Sequence, residues 1–195
     1  SHGHRSPEYD CIIYYKGDVG SVVCGRSGRK IVRAESVLMT IQIRSTLDKG
    51  YLDAENDYHA NGGLQLVRHY RAANLLRIFG GLGNPKLDEE AEKVLRDGVM
   101  LKLSATSLPQ TVAVVLGYKS SVSAEDAAQK VREFGIDYVC VLDKYLAGIS
   151  SPGFPQNPAD VRLFDTGSDA FVALFGIIET IIEQYLDGRN WWVPD

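Results

Sequence analysis

Few side chains in this sequence are spaced for chemistry. The densest group is Asp53-Ala-Glu-Asn-Asp57-Tyr-His59, where acids alternate and end on an imidazole. Such a run offers oxygen donors to a divalent cation, or a carboxylate beside a general base. As an EF-hand loop it fails, because Tyr58 stands where the loop turns on glycine and Leu64 where a bidentate acid is required. A solvated loop is the expectation for 53–59. Asp57, His59 and His69 are then the only acid–base set, and no spacing brings them together. Cys11, Cys24 and Cys140 lack CxxC spacing, and the four histidines fall at no metal-ligand interval from them, so no metal and no cofactor is expected.

Other strings resolve into turns and caps. Phe164-Asp-Thr-Gly-Ser168 resembles the aspartic protease signature over five residues. The chain that follows reads as one long helix and not as the β-rich half such an enzyme needs, so Asp165 and Ser168 are expected at a helix entry. Phe79-Gly-Gly-Leu-Gly83 follows no strand, and Gly25-Arg-Ser-Gly28 lacks the setting of a P-loop or nucleophile elbow. Gln110 to Gly117 followed by Ser123 to Phe134 has the outline of a helix-turn-helix, yet its second helix would open on Glu125 and Asp126, which phosphates repel. No catalytic residue is assigned.

The remaining candidates are basic. Arg26, Arg29, Lys30 and Arg33 crowd one turn, and Arg68 and Arg71 share a helix face. Brought to one cleft they would hold a phosphate backbone, with Tyr14, Tyr15 or Tyr70 available to stack on bases. Residues 1–80 carry a net charge of +3 and residues 81–195 a net charge of −7, a polarity suited to copies that associate head to tail.

The elements that must position these residues read as α+β and predominantly α-helical. The expected order is a polar arm or cloning remnant at 1–9, then one globular domain over 10–195. Within it, a small antiparallel β meander (10–34) precedes a helical bundle (35–148), a loop (149–167), and a C-terminal helix with its tail (168–195). Cys11–Tyr15, Ser21–Cys24 and Lys30–Arg33 are β-branched and aromatic and are separated by glycine turns. Helices are expected at Ser36–Asp48, Leu64–Phe79, from Asp88, at Ser123–Phe134 with a capping box, and at Ser168–Asp187. Asp137–Ala147 also reads as helix, although Tyr138–Leu142 equally fits a buried strand.

Composition excludes more than it identifies. The chain has 195 residues, 45% of them hydrophobic, enough for a real core. Its longest apolar run, Ala170–Ile178, is too short to span a membrane. The odd cysteine count suits a reducing, cytoplasmic setting. These features favour a non-enzymatic, self-assembling protein that coats single-stranded nucleic acid, RNA or another polyanion, in the manner of a nucleocapsid or coat protein, through Arg26, Arg29, Lys30, Arg33, Arg68 and Arg71. Phe171, Phe175, Trp191 and Trp192 would then lock neighbouring copies together. The alternative is a small helical enzyme or ligand-binding domain.

Overall fold

The structure, a computed structural model, describes residues 8–15, 22–24, 30–68, 70–71, 111–133, 135–149, 161–164 and 167–190. Its centre is a six-stranded mixed sheet, not a helical bundle. Strand β1 (Cys11–Tyr14) lies antiparallel on β4 (Val37–Leu47), which runs parallel to β5 (Val112–Ser120), itself parallel to β6 (Tyr138–Val141). Antiparallel strands β7 (Tyr145–Ile149) and β8 (Val161–Phe164) complete the sheet, in the order β1-β4-β5-β6-β7-β8. Strands β2 (Val22–Cys24) and β3 (Lys30–Val32) form a separate two-stranded hairpin.

The expectation of a predominantly helical protein fails at three strands, for one reason. Val37 to Gln42 are all buried, as are Val112 to Val115 and Tyr138 to Val141. Central parallel strands are covered on both faces and so lose the alternation that marks a half-exposed strand. The apolar runs Val112–Val115 and Tyr138–Val141 then match a helix template as well as a strand template, while in β4 an alternation survives only over Met39–Arg44. Ser36–Asp48, expected as a helix, holds strand β4, and Val112–Gly117, within the segment that has the outline of a helix-turn-helix, lies in strand β5. Residues 137–147 form the β6–β7 hairpin, turning through Asp143 at φ 60°. The N-terminal meander is corrected as well, since β1 pairs with β4 and not with β2.

Helices pack around the sheet. Helix α1 (Lys49–Asn61) starts where the Asp48 carboxylate accepts the Tyr51 amide at 2.7 Å. This N-cap sets the phase of the helix. Residues 63–68 and 70–71 are also helical. Helix α2 (Ala124–Arg132) begins at the expected capping box, Ser123 Oγ accepting from Asp126 N at 3.1 Å, and buries Ala127, Ala128 and Val131. Helix α3 (Ala170–Asn190) sets Ala170, Leu174 and Ile181 into the core. Among the described residues no helix is long and apolar enough to cross a membrane.

Close packing fixes the β5–β7 half of the sheet. Gly148 lies directly under the Tyr138 ring, where a Cβ would collide with it, and Tyr138 Oη donates to Ile149 O at 2.8 Å. Gly117 leaves the space taken by the buried Leu47 side chain. The expected helix from Asp88, most of Leu64–Phe79, Trp191 and Trp192 lie outside the described residues.

Candidate functional site

Polar side chains converge at the β1–β4 edge of the sheet. In β4 the apolar Ile41 and Ile43 alternate with Gln42 and Arg44, which project to one face because strand side chains repeat every second residue. The antiparallel pairing of Cys11 with Ile41 sets Asp10, just ahead of β1, beside these two. Asp10 Oδ2 accepts from Ile43 N at 2.8 Å and from Arg44 Nη1 at 3.3 Å. Arg44 Nη1 also donates to Ile43 O at 3.0 Å, and Gln42 Nε2 donates to Glu8 O at 3.4 Å.

Helix α1 supplies the other wall. Tyr51, Glu55, Tyr58 and His59 recur at one helical face. The Tyr51 hydroxyl donates to Glu55 Oε1, and Arg44 Nη2 reaches the same oxygen at 3.8 Å. The Arg44 guanidinium lies 4.6 Å from the centre of the Tyr51 ring, a cation–π distance. Behind them, His59 is fully buried, with Nε2 3.5 Å from Glu55 Oε2. Tyr9 stacks on the imidazole at 6.1 Å, and Tyr58 meets it edge-on at 5.4 Å while donating to Glu8 O at 3.1 Å.

Exposure grades across the cluster. The Asp10 and Arg44 side chains are about two-fifths exposed, that of Glu55 is nearly buried, and His59 is inaccessible. Burial raises the Glu55 carboxyl above its ordinary range, against the pull of the Tyr51 hydrogen bond and Arg44. Burial, then the nearby Arg68 charge, lowers His59 to about 4, so the imidazole is neutral at neutral pH. The outer face is ionic and wet, and the inner face is neutral and dry. Among the described residues no group of three or more His, Cys, Asp or Glu side chains could hold a metal ion.

The run 53–59 is therefore not a solvated loop. It lies within α1, directing Glu55 and His59 inward and Asp57 outward. Asp57 and His59 are not brought together as an acid–base set, and His69 lies outside the described residues. Gln42, Arg44 and Asp10 escaped sequence reasoning. The available signal was the alternation of Thr40, Gln42 and Arg44 with Met39, Ile41 and Ile43, and the place of Asp10 beside it follows only from the pairing of β1 with β4.

The expected basic groove is distributed differently. Arg68 Nη2 pairs with Asp137 Oδ2 at 2.6 Å and its Nε donates to Thr111 O at 3.0 Å, while Asp137 also accepts from Ala113 N at 2.7 Å. Arg71, 2% exposed, donates through Nη1 to Val37 O at 2.6 Å and to Thr111 Oγ1 at 3.3 Å. These two side chains bind the helical residues 63–68 and 70–71 to the starts of β4 and β5, and face inward. Arg33 is exposed, Lys30 lies in β3, and Arg26 and Arg29 lie outside the described residues. Phe171 and Phe175, with Val172, are exposed on α3.

No family model and no curated protein matches the chain. Solved structures do. The fold is similar to that of NucC from E. coli MS115-1 in its apo form, with a TM-score of 0.50 and 13% identity over 90% of this chain and 68% of that one. It is also similar to P. aeruginosa ATCC27853 NucC in its cAAA-bound form, with a TM-score of 0.52 and 14% identity over 90% of this chain and 64% of that one. The chain thus spans about two thirds of the length of the chains it matches. This likeness and the mixed sheet overturn the expected helical, coat-like nucleoprotein.

Proposed function

We propose that the chain is a nuclease-type enzyme that acts on phosphodiester bonds at the mouth formed by Asp10, Gln42, Arg44 and Glu55. Support comes from the fold it shares with NucC, a cyclic-oligonucleotide-activated nuclease. The observation that carries the reading is Arg44, a half-exposed guanidinium held between two carboxylates on the side of the sheet where α1 begins. Its planar fork suits two oxygens of a phosphate and offsets the charge that develops there during displacement. Asp10 is the group placed to accept a proton from an attacking water. The new P–O bond then forms as the bond to the leaving sugar oxygen breaks, and that oxygen takes its proton from solvent. Gln42, neutral and anchored on Glu8 O, orients without adding charge.

A second reading has its own support. Both carboxylates already engage Arg44, an arrangement suited to a domain that holds a phosphate ligand without cutting it. Incubation with plasmid DNA and with single-stranded RNA, with magnesium and with EDTA, separates the two. Cleavage that is lost in Asp10→Ala and Arg44→Ala supports the enzyme. Binding without cleavage supports the second reading, and absence of both overturns the proposal. We also infer that copies associate across the exposed Phe171, Val172 and Phe175 of α3, which sedimentation of Phe175→Glu tests directly.

A further inference from the structure

We infer that Glu55, with the buried imidazole of His59 behind it, is a positioning residue that aims Arg44. The inference rests on the reading of Arg44 as the phosphate-holding group. An arginine on a strand facing solvent samples many rotamers, and this one is held at three points beyond its own strand, where Nη1 donates to Ile43 O at 3.0 Å. Asp10 takes Nη1 at 3.3 Å, the Tyr51 ring lies beneath at 4.6 Å, and Glu55 Oε1 faces Nη2 at 3.8 Å. Asp10 is half exposed on a segment ahead of an edge strand, whereas Glu55 is nearly buried on the second turn of a capped 13-residue helix. Of the two carboxylates on Arg44, the rigidly placed one is therefore that from α1.

His59 explains why that carboxylate stays oriented. A fully buried histidine costs desolvation that a leucine would not, and the carboxylate that approaches its ring is that of Glu55. Glu55 Oε2 and both His59 ring nitrogens are buried without a hydrogen-bond partner among the described residues, and the 3.5 Å approach of Nε2 to Oε2 sets these polar atoms against each other. One Glu55 oxygen thus faces inward to His59, leaving the other for Tyr51 and Arg44. Held neutral by its surroundings, His59 does not compete with Arg44 for the carboxylate charge. Asp10, Arg44, Tyr51, Tyr58, Tyr9 and Arg68 are the other charged or titratable groups that act on this pair.

Two readouts test the role in Glu55→Gln and His59→Gln. The first is side-chain NMR of arginine-labelled protein, which needs no substrate. Restricted rotation of the Arg44 guanidinium in the wild type, released in Glu55→Gln and partly released in His59→Gln, supports the inference. Unchanged rotation in both variants overturns it. The second is steady-state cleavage of a labelled oligonucleotide, where kcat is expected to fall about tenfold in Glu55→Gln with KM within about threefold. Equal changes in both, or none, overturn the positioning role. If the wild type cleaves nothing, the nuclease reading fails and the NMR experiment still decides this one. Should Glu55→Gln not fold, Glu55→Asp, which withdraws the carboxylate by one methylene, is expected to release Arg44 in the same way.

Discussion

Arg44 and the pair Arg68 and Arg71 are the same residue type on the same half of the chain, with opposite surroundings. Arg68 and Arg71 direct their hydrogen bonds to Asp137, Thr111 and Val37 within the fold, whereas Arg44 stays half exposed beside Asp10 and over a tyrosine ring. A buried guanidinium with good partners closes a structure, and an exposed one is open to a ligand. Residue type and net charge do not distinguish the two, and neighbours do.

The comparison breaks most easily through stability. Arg68→Ala would leave the Asp137 carboxyl buried beside an empty space, with a cost of about 3–5 kcal/mol. Arg44→Ala removes only a half-exposed partner and is expected to cost less than about 1 kcal/mol. Urea denaturation of both variants gives the ratio, and similar losses would erase the distinction between the two kinds of arginine. In activity the order reverses, with Arg44→Ala lowering kcat by about a hundredfold or more.

A pH effect sharpens the same contrast. His59 has a folded pKa of about 4, below its unfolded value of 6.5, so the unfolded chain binds a proton that the folded chain refuses. Stability should therefore fall as pH drops from 6.5 towards 4, by on the order of 3 kcal/mol in all. Glu55, raised by burial, works the other way, since its protonation favours the folded state as pH falls. Thermal melts across this range, with His59→Gln as control, should show a shallower decline in the variant. An unchanged decline would place the sensitive group elsewhere. The smallest expected effect is at Asp143, where glycine relieves a φ of 60° and should raise stability by less than about 1 kcal/mol in the same melts.

Local chemistry alone was sufficient for the caps and the amphipathic helices. Ser123 with its acidic first turn, the apolar stripe of α2 and the long apolar α3 are properties of contiguous residues, and they appear in the fold where they are read. The β-branched runs at Cys11–Tyr14, Val22–Cys24 and Lys30–Val32 likewise form strands. The centre of the sheet was a different matter. A strand buried on both faces, such as Val112–Val115, carries no period in its sequence, whereas along β4 Thr40, Gln42 and Arg44 alternate with Met39, Ile41 and Ile43. A helix over Ser36–Asp48 would not put Gln42 and Arg44 on one face, and would leave Asp10 no reason to be near them. The candidate site joins residues 10, 42, 44, 55 and 59 through strand pairing and helix docking. Contacts of that kind are set by tertiary packing, because no short-range rule specifies which strand lies beside which.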